Sequence, residues 1–197
     1  MRISRFILPA ALAVLAATTA LVPARAQMTG HATTVEENVV MVGGAAMYPA
    51  RNIIQNAVNS KDHTTLVAAV KAAGLVQTLQ GPGPFTVFAP TNEAFDKLPP
   101  GTVTNLLKPE NKPMLASVLT YHVVAGRYTE VDLMQMVKAG GGTAMLKTVE
   151  GEPLTITWGE GRLWVKGEGG GVASITVPDV MQSNGVIQVV SAVLLPK

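Results

Sequence analysis

"FTVFAPTNEAF", Phe85 to Phe95, is the stretch on which the reading of this chain turns. Apolar side chains alternate at Phe85, Val87 and Ala89, with Thr86 and Phe88 between them, and Pro-Thr-Asn then interrupts the pattern before a helix-like run from Asn92 to Leu98. That order predicts a strand, a sharp corner and a short helix. Such a corner can seat a nucleophile, or it can join two core elements. Use of Thr91 as a nucleophile would need an activating base, yet no positioned His or Lys stands beside it and there is no Gly-x-Ser-x-Gly elbow. Thr91 is instead expected to cap the helix, with Glu93 near the positive end of the helix dipole. Phe85, Phe88 and Phe95 are expected to supply core area.

Upstream, "GPGP" at Gly81 to Pro84 breaks the chain. Before it, Asp62 is expected to cap a helix whose apolar face is Leu66, Val67, Ala69, Val70 and Ala73, with Gly74 at the C-terminal position. Asn52 to Val58 predicts a further short helix. Residues 27–51 lack sustained periodicity and read as a loose arm with one short strand at Val39 to Val42. Downstream, a short helix runs from Thr102, Pro113 starts another leading to His122, and Val131 to Lys138 predicts a third. After "AGGG" the pattern changes to short alternating runs with Gly-rich turns, which read as antiparallel strands. Helices first and strands later, without regular alternation, indicate α+β architecture.

The 197-residue chain begins with Arg2 and Arg5, then an apolar run from Phe6 to Val22 ending in Ala24-Arg25-Ala26. This has the form of a secretory signal peptide, residues 1–26, with the mature chain starting at Gln27 and retaining no stable membrane insertion. Removing three of the fifteen basic residues turns the formal net charge from +2 to about −1. With two Trp and three Tyr and no basic excess, nucleic-acid binding has no footprint. Cysteine is absent, which excludes disulfides, thiolate metal sites and catalytic thiols. The remaining residues suffice for a single cooperative core.

Three segments can be set together: "FTVFAPTNEAF", "LTYHVVAG" at Leu119 to Gly126, and "SNGVIQVVSAVLLP" at Ser183 to Pro196. On these, the chain resembles a fasciclin domain over residues 52–197. The resemblance implies a twisted β-sandwich or wedge with several helices packed along one side, and a role in adhesion or extracellular interaction. It assigns Tyr121 and His122 to the family's tyrosine-histidine motif. "VPDVM", Val177 to Met181, lies where animal members carry an acidic residue and an aliphatic one that contact integrins, which makes Asp179 and Val180 the matching pair. Gln188 and Ser191 depart from the family pattern of His and Asp, and this weakens the expectation of a polar network in the closing motif.

Other candidates read as structural. His122 is expected to be a partly buried histidine bonded to the backbone or a nearby polar group. His31, His63 and His122 show no metal-ligand spacing. A copper site of soft ligands would draw on Met41 and Met47 near His31, but the other methionines, Met134, Met136, Met145 and Met181 among them, read as core filler. "GEGGG", Gly167 to Gly171, lacks a phosphate loop's Lys-Ser/Thr and reads as a mobile hairpin connection. Trp158 and Trp164 flank another turn and are expected to pack across strands, an exposed pair suiting a surface or glycan instead.

The reading is therefore an exported, non-enzymatic interaction module without a cofactor. Its partner is a protein, matrix or cell-surface component, contacted through Asp179 and Val180 or the Tyr121-His122 edge. Two alternatives stand beside it. A periplasmic protein binding a small molecule, lipid or metal would need an enclosed pocket or clustered ligands. A hydrolase would need Thr91, Ser183 or Ser191 to meet His122 and an acid in space.

Overall fold

A computed structural model describes residues 39–197. The segment read as a signal peptide, residues 1–26, and His31 lie outside the described residues. The elements are β1 (Val40–Val42), β2 (Ala45–Met47), α1 (Ile53–Ala57), α2 (Thr64–Ala73), α3 (Val76–Gln80), β3 (Phe85–Pro90), α4 (Asn92–Asp96), α5 (Thr102–Leu106), α6 (Lys112–Tyr121), β4 (Val123–Ala125), α7 (Glu130–Ala139), β5 (Thr143–Lys147), β6 (Pro153–Gly159), β7 (Arg162–Gly167), β8 (Val172–Gln182) and β9 (Gly185–Val190). Single 3₁₀ turns at Lys61–His63 and Pro109–Asn111 precede α2 and α6. Among these residues no helix is long and apolar enough to cross a membrane.

The corner at Phe85 to Phe95 forms as its residues dictate. β3 ends at Pro90, and the Thr91 hydroxyl accepts a hydrogen bond from the Ala94 amide at 3.3 Å to start α4. The strand is covered on both faces, with Val87 and Ala89 in one apolar cluster and Phe88 in the other. Phe95 is buried and Phe85 half-buried. Its neighbour β9 is buried at every position. A strand pair without a solvent face is the usual setting for parallel pairing, and β3 and β9 do run parallel, from Phe85 opposite Gly185 to Pro90 opposite Val190. The runs after the Gly-rich break pair antiparallel with one another as expected, from β5 to β9, and the helices between β3 and β4 with the long excursion through β5 to β8 bring β9 back along β3.

The seven-stranded sheet has the order β4-β3-β9-β8-β7-β6-β5. Register shifts in β8 between Ile175 and Val177 and between Val177 and Val180 bend it. Its two edges then meet, with Val124 bridging to Thr148 and the Val149 amide donating to the Val123 carbonyl at 2.7 Å. The curled sheet encloses one cluster, centred on Leu154, Ile156, Leu163, Val165 and Leu194, with Leu133 and Val137 of α7 as its lid. Outside the curl, α1, α2, α4 and α6 cover β3, β9 and Val180 of β8 to form the second cluster. The result is an α+β wedge with helices along one flank.

Two local differences have clear causes. The arm, expected to hold one short strand at Val39 to Val42, forms a two-stranded hairpin over residues 40–47 in which Val42 and Met47 are buried. α2 starts after the 3₁₀ turn, and Asp62 makes no capping bond. Asn92 takes that role from across the corner: its Oδ1 accepts from the Thr65 amide at 3.0 Å, while its Nδ2 donates to the Lys61 carbonyl at 2.8 Å. Gly74 closes α2 in the left-handed conformation expected of it.

Candidate functional site

The signature tyrosine and histidine face inward. Tyr121 ends α6 fully buried; its hydroxyl donates to the Pro153 carbonyl and accepts from the Glu168 amide, each at 2.8 Å. Burial raises its pKa above the usual phenol value. His122 is 2% exposed, with Nδ1 at 2.7 Å from the Val118 carbonyl and Nε2 accepting from the Leu194 amide at 3.0 Å. A carbonyl can only accept and an amide can only donate, so the proton resides on Nδ1. Burial lowers the His122 pKa to about 4. The ring therefore ties the end of α6 to the C-terminal segment, as a buried histidine satisfied by backbone.

Of the hydroxyls a hydrolase would need, Ser183 lies exposed on the turn between β8 and β9, and the other two are engaged elsewhere. Thr91 caps α4, and the Ser191 hydroxyl lies 3.0 Å from both the amide and the hydroxyl of Ser174. Neither reaches His122, whose two nitrogens are both occupied by backbone groups.

Asp179 and Val180 sit at the bulge of β8. Val180 is 1% exposed and packs in the helix-covered cluster, so its side chain presents nothing to the outside. Asp179 is half-buried with φ of 55°. Its Oδ1 accepts from the Glu130 amide at 2.8 Å and from Gln188 Nε2 at 2.9 Å. The first bond places a carboxylate at the N-terminus of α7, where the helix dipole favours negative charge. Gln188, fully buried, also accepts from the Asp179 amide at 3.1 Å and donates to the Tyr128 carbonyl at 3.0 Å. The expected weakening of polar contacts at Gln188 and Ser191 is thus corrected. A glutamine amide supplies one acceptor and two donors, and all are used; the Ser191–Ser174 pair links β8 to the end of β9.

Sequence reasoning missed three further buried amides. Asn56 bonds the Tyr48 backbone and Gln182, and Asn184 accepts from Ile53 at 3.0 Å while donating to the carbonyls of Leu79 and Gly81. The "SNG" turn signal marked Asn184 as a turn residue but held no trace of these distant carbonyls. "GEGGG" is also not a free connection. The Gly169 amide donates to the Leu195 carbonyl at 3.0 Å, and a Cβ there would stand 2.5 Å from the Pro196 oxygen, so the loop is clamped to the C-terminal segment.

The outer face of α7 is where apolar side chains reach solvent. A Thr129–Asp132 capping box starts the helix, and its hydrogen bonds lower the Asp132 pKa. Val131 is 55% exposed, Met134 37% and Trp158 47%; with Gln135, Lys138 and Gly142 they line an open groove of about 560 Å³. Trp164, by contrast, is half-buried and donates from Nε1 to the Gly159 carbonyl at 3.0 Å. The packed tryptophan pair is corrected to one packed and one exposed. Met134 and Met145 likewise face outward, because α7 and β5 bury their other faces. Met41 is exposed and Met47 buried on opposite faces of the hairpin, so their thioethers do not converge on a metal.

A curled sheet with a parallel central pair, helices on one flank and a buried tyrosine-histidine pair define an α+β wedge of the fasciclin type. The sequence model of the fasciclin domain matches residues 61–196, and the chain belongs to the fasciclin domain family. It is 47% identical over 144 residues to the uncharacterized protein sll1735 of Synechocystis sp., covering 73% of this chain and 97% of that one. It is 43% identical over 160 residues to protein sll1483 of the same organism, covering 81% of this chain and 82% of that one. The solved domain pair from the insect cell adhesion molecule fasciclin I superposes with a TM-score of 0.66 at 21% identity, over 75% of this chain and 52% of that one.

Proposed function

We propose that this protein is an extracytoplasmic, non-enzymatic interaction module that binds a cell-surface, matrix or envelope partner through the outer face of α7. The observation that carries this reading is the groove beside α7, where Val131, Met134 and an exposed Trp158 stand together. Exposed apolar side chains gathered in one place mark interaction surfaces, and tryptophan is enriched among residues that dominate binding energy. Asp179 bonds the first amide of α7 and so contributes by positioning this face. Val180, Tyr121 and His122 are buried, so their side chains are not offered as contacts. Fasciclin I being a cell adhesion molecule is consistent with the reading, as is the secretory form of residues 1–26.

The test is attachment of purified protein to cells and to extracellular matrix material from its own source. Trp158→Ala combined with Met134→Ala is expected to remove attachment while the unfolding midpoint stays within about 0.5 kcal/mol of the parent in free-energy terms, as for surface substitutions. Unchanged attachment by the folded double variant would sink the assignment to this face.

A further inference from the structure

Among the described residues, no helix covers the outer side of the sheet at β5 to β7; α7 closes the inner side, and the helical flank lies over β3 and β9. Burial alternates along these strands, so Thr143, Thr155, Thr157 and Trp164 point out while Leu146, Leu154, Ile156 and Val165 point in. Lys147, Arg162 and Lys166 share the outward side and are exposed. No acidic residue occurs in any of the three strands. Glu150, Glu152, Glu160 and Glu168 stand in the connections at their ends. A face with cations and no carboxylate of its own is complementary to an anionic partner.

The strand register sets these groups in a grid. On β7, Arg162, Trp164 and Lys166 are alternate residues, with the Cα atoms of the two cations about 13 Å apart on either side of the indole. Trp164 stands opposite Thr157, which stands opposite Thr143, and Lys166 stands opposite Thr155. The indole Nε1 donates to the Gly159 carbonyl at 3.0 Å, and a Cβ on Gly159 would lie 3.6 Å from the ring. The ring is thus held along the sheet, half-buried, with part of its surface open between the two cations. A hydrocarbon surface gains nothing from a row of hydroxyls. A sugar does: its C–H side stacks on an indole and its hydroxyls bond those of threonine, while carboxylates on flanking sugars take charge-assisted bonds from Arg and Lys.

We propose that this face binds an acidic polysaccharide, a chain of hexuronate sugars laid along β7 with one ring over Trp164 and the carboxylates of flanking sugars at Arg162 and Lys166. This goes beyond the interaction module and uses none of the α7 face. Trp158, one residue on from Thr157, points to the other side of the sheet and takes no part.

The test titrates octagalacturonate and its full methyl ester, which keeps the sugar hydroxyls and loses the charge, into the purified protein, with the indole N–H resonances of Trp158 and Trp164 as reporters. Octagalacturonate is expected to move the Trp164 signal, to leave that of Trp158 in place, and to bind about tenfold more tightly than the ester, the value of two exposed charge contacts. Arg162→Gln combined with Lys166→Gln is expected to erase that preference, and Trp164→Ala to weaken acid and ester alike. Polyphosphate of matched length, a polyanion without sugar rings, and phosphatidylglycerol vesicles serve as competitors for the class of partner. An ester that binds as tightly as the acid would overturn the role of the cations. Polyphosphate or vesicles binding as tightly as octagalacturonate would overturn the assignment to sugar, and a Trp164 signal that stays in place would overturn the site. Neither result bears on the α7 face. Should Trp164→Ala fail to fold, the Trp164 signal and the comparison of probes in the parent protein decide the question.

Discussion

His122 Nε2 accepts the Leu194 amide at 3.0 Å across 72 residues of sequence, while Nδ1 of the same ring is held by Val118 one turn back on α6. A single neutral imidazole therefore joins a helix end to the segment after β9. Protonating it would turn the acceptor into a second donor facing an amide.

The pH dependence follows from that bond. The His122 pKa is about 4 in the folded chain against an ordinary histidine value of 6.5, so between these values the unfolded chain binds the proton that the folded chain refuses. Stability from this group is fully present above pH 6.5, falls as pH drops toward 4 and then levels off. The shift amounts to about 3 kcal/mol. His63, lowered chiefly by burial, acts in the same direction, so the His122 share is read from the difference between parent and His122→Gln in urea unfolding at pH 7 and pH 4.5. A His122 ring titrating near 6.5 by NMR would contradict the account.

Asp179→Asn keeps an acceptor for the Glu130 amide and tolerates the left-handed backbone, so it is expected to cost about 1 kcal/mol or less. Asp179→Ala loses the bond to the Glu130 amide, leaves a Gln188 donor short of its partner and strains the backbone, at about 2 kcal/mol. Hydrogen exchange at the Glu130 amide should quicken in the alanine variant. If the two substitutions are equally mild, the bond carries no weight.

Gly169→Ala drives a methyl into the Leu195 and Pro196 carbonyls and is expected to destabilise by about 1 to 3 kcal/mol. Gly170→Ala, where a Cβ would meet nothing but φ is 93°, isolates the strain of conformation alone. Thermal unfolding of both separates the clamped loop from a mobile connection, for which Gly169→Ala would be neutral.

Thr91→Ala should lower stability by about 1 kcal/mol, with Thr91→Ser restoring most of it, since the hydroxyl alone makes the cap. Phe88→Ala, at a fully buried position, should cost about 3 to 5 kcal/mol. Denaturant unfolding gives both values, and a cap loss as large as the Phe88 loss would mean that Thr91 does more than start α4.

Much of the architecture was legible locally. Alternation in Phe85 to Ala89, the Thr91 cap, Pro113 in the first turn of α6 and the Gly74 stop are properties of a few adjacent residues. Each formed where it was read. Asn92 and Asp62 show where legibility ended: both are credible caps by type, and the choice between them depends on a corner folding back against the start of α2. Ser60 and His63, an i, i+3 pair in contact at 2.9 Å, are both buried, which depends on what packs over them and not on their spacing.

By itself the sequence determined the alternation of helix and strand, the absence of thiol chemistry and the family signature, because periodicity, composition and short motifs are carried by neighbouring residues. Only the tertiary structure decided that β9 lies parallel to β3, that Val180 and Tyr121 turn inward, and that Trp158 remains outside. Those outcomes depend on what packs against the second face of each element. That partner comes from a distant part of the chain, and burial is a property of the pair.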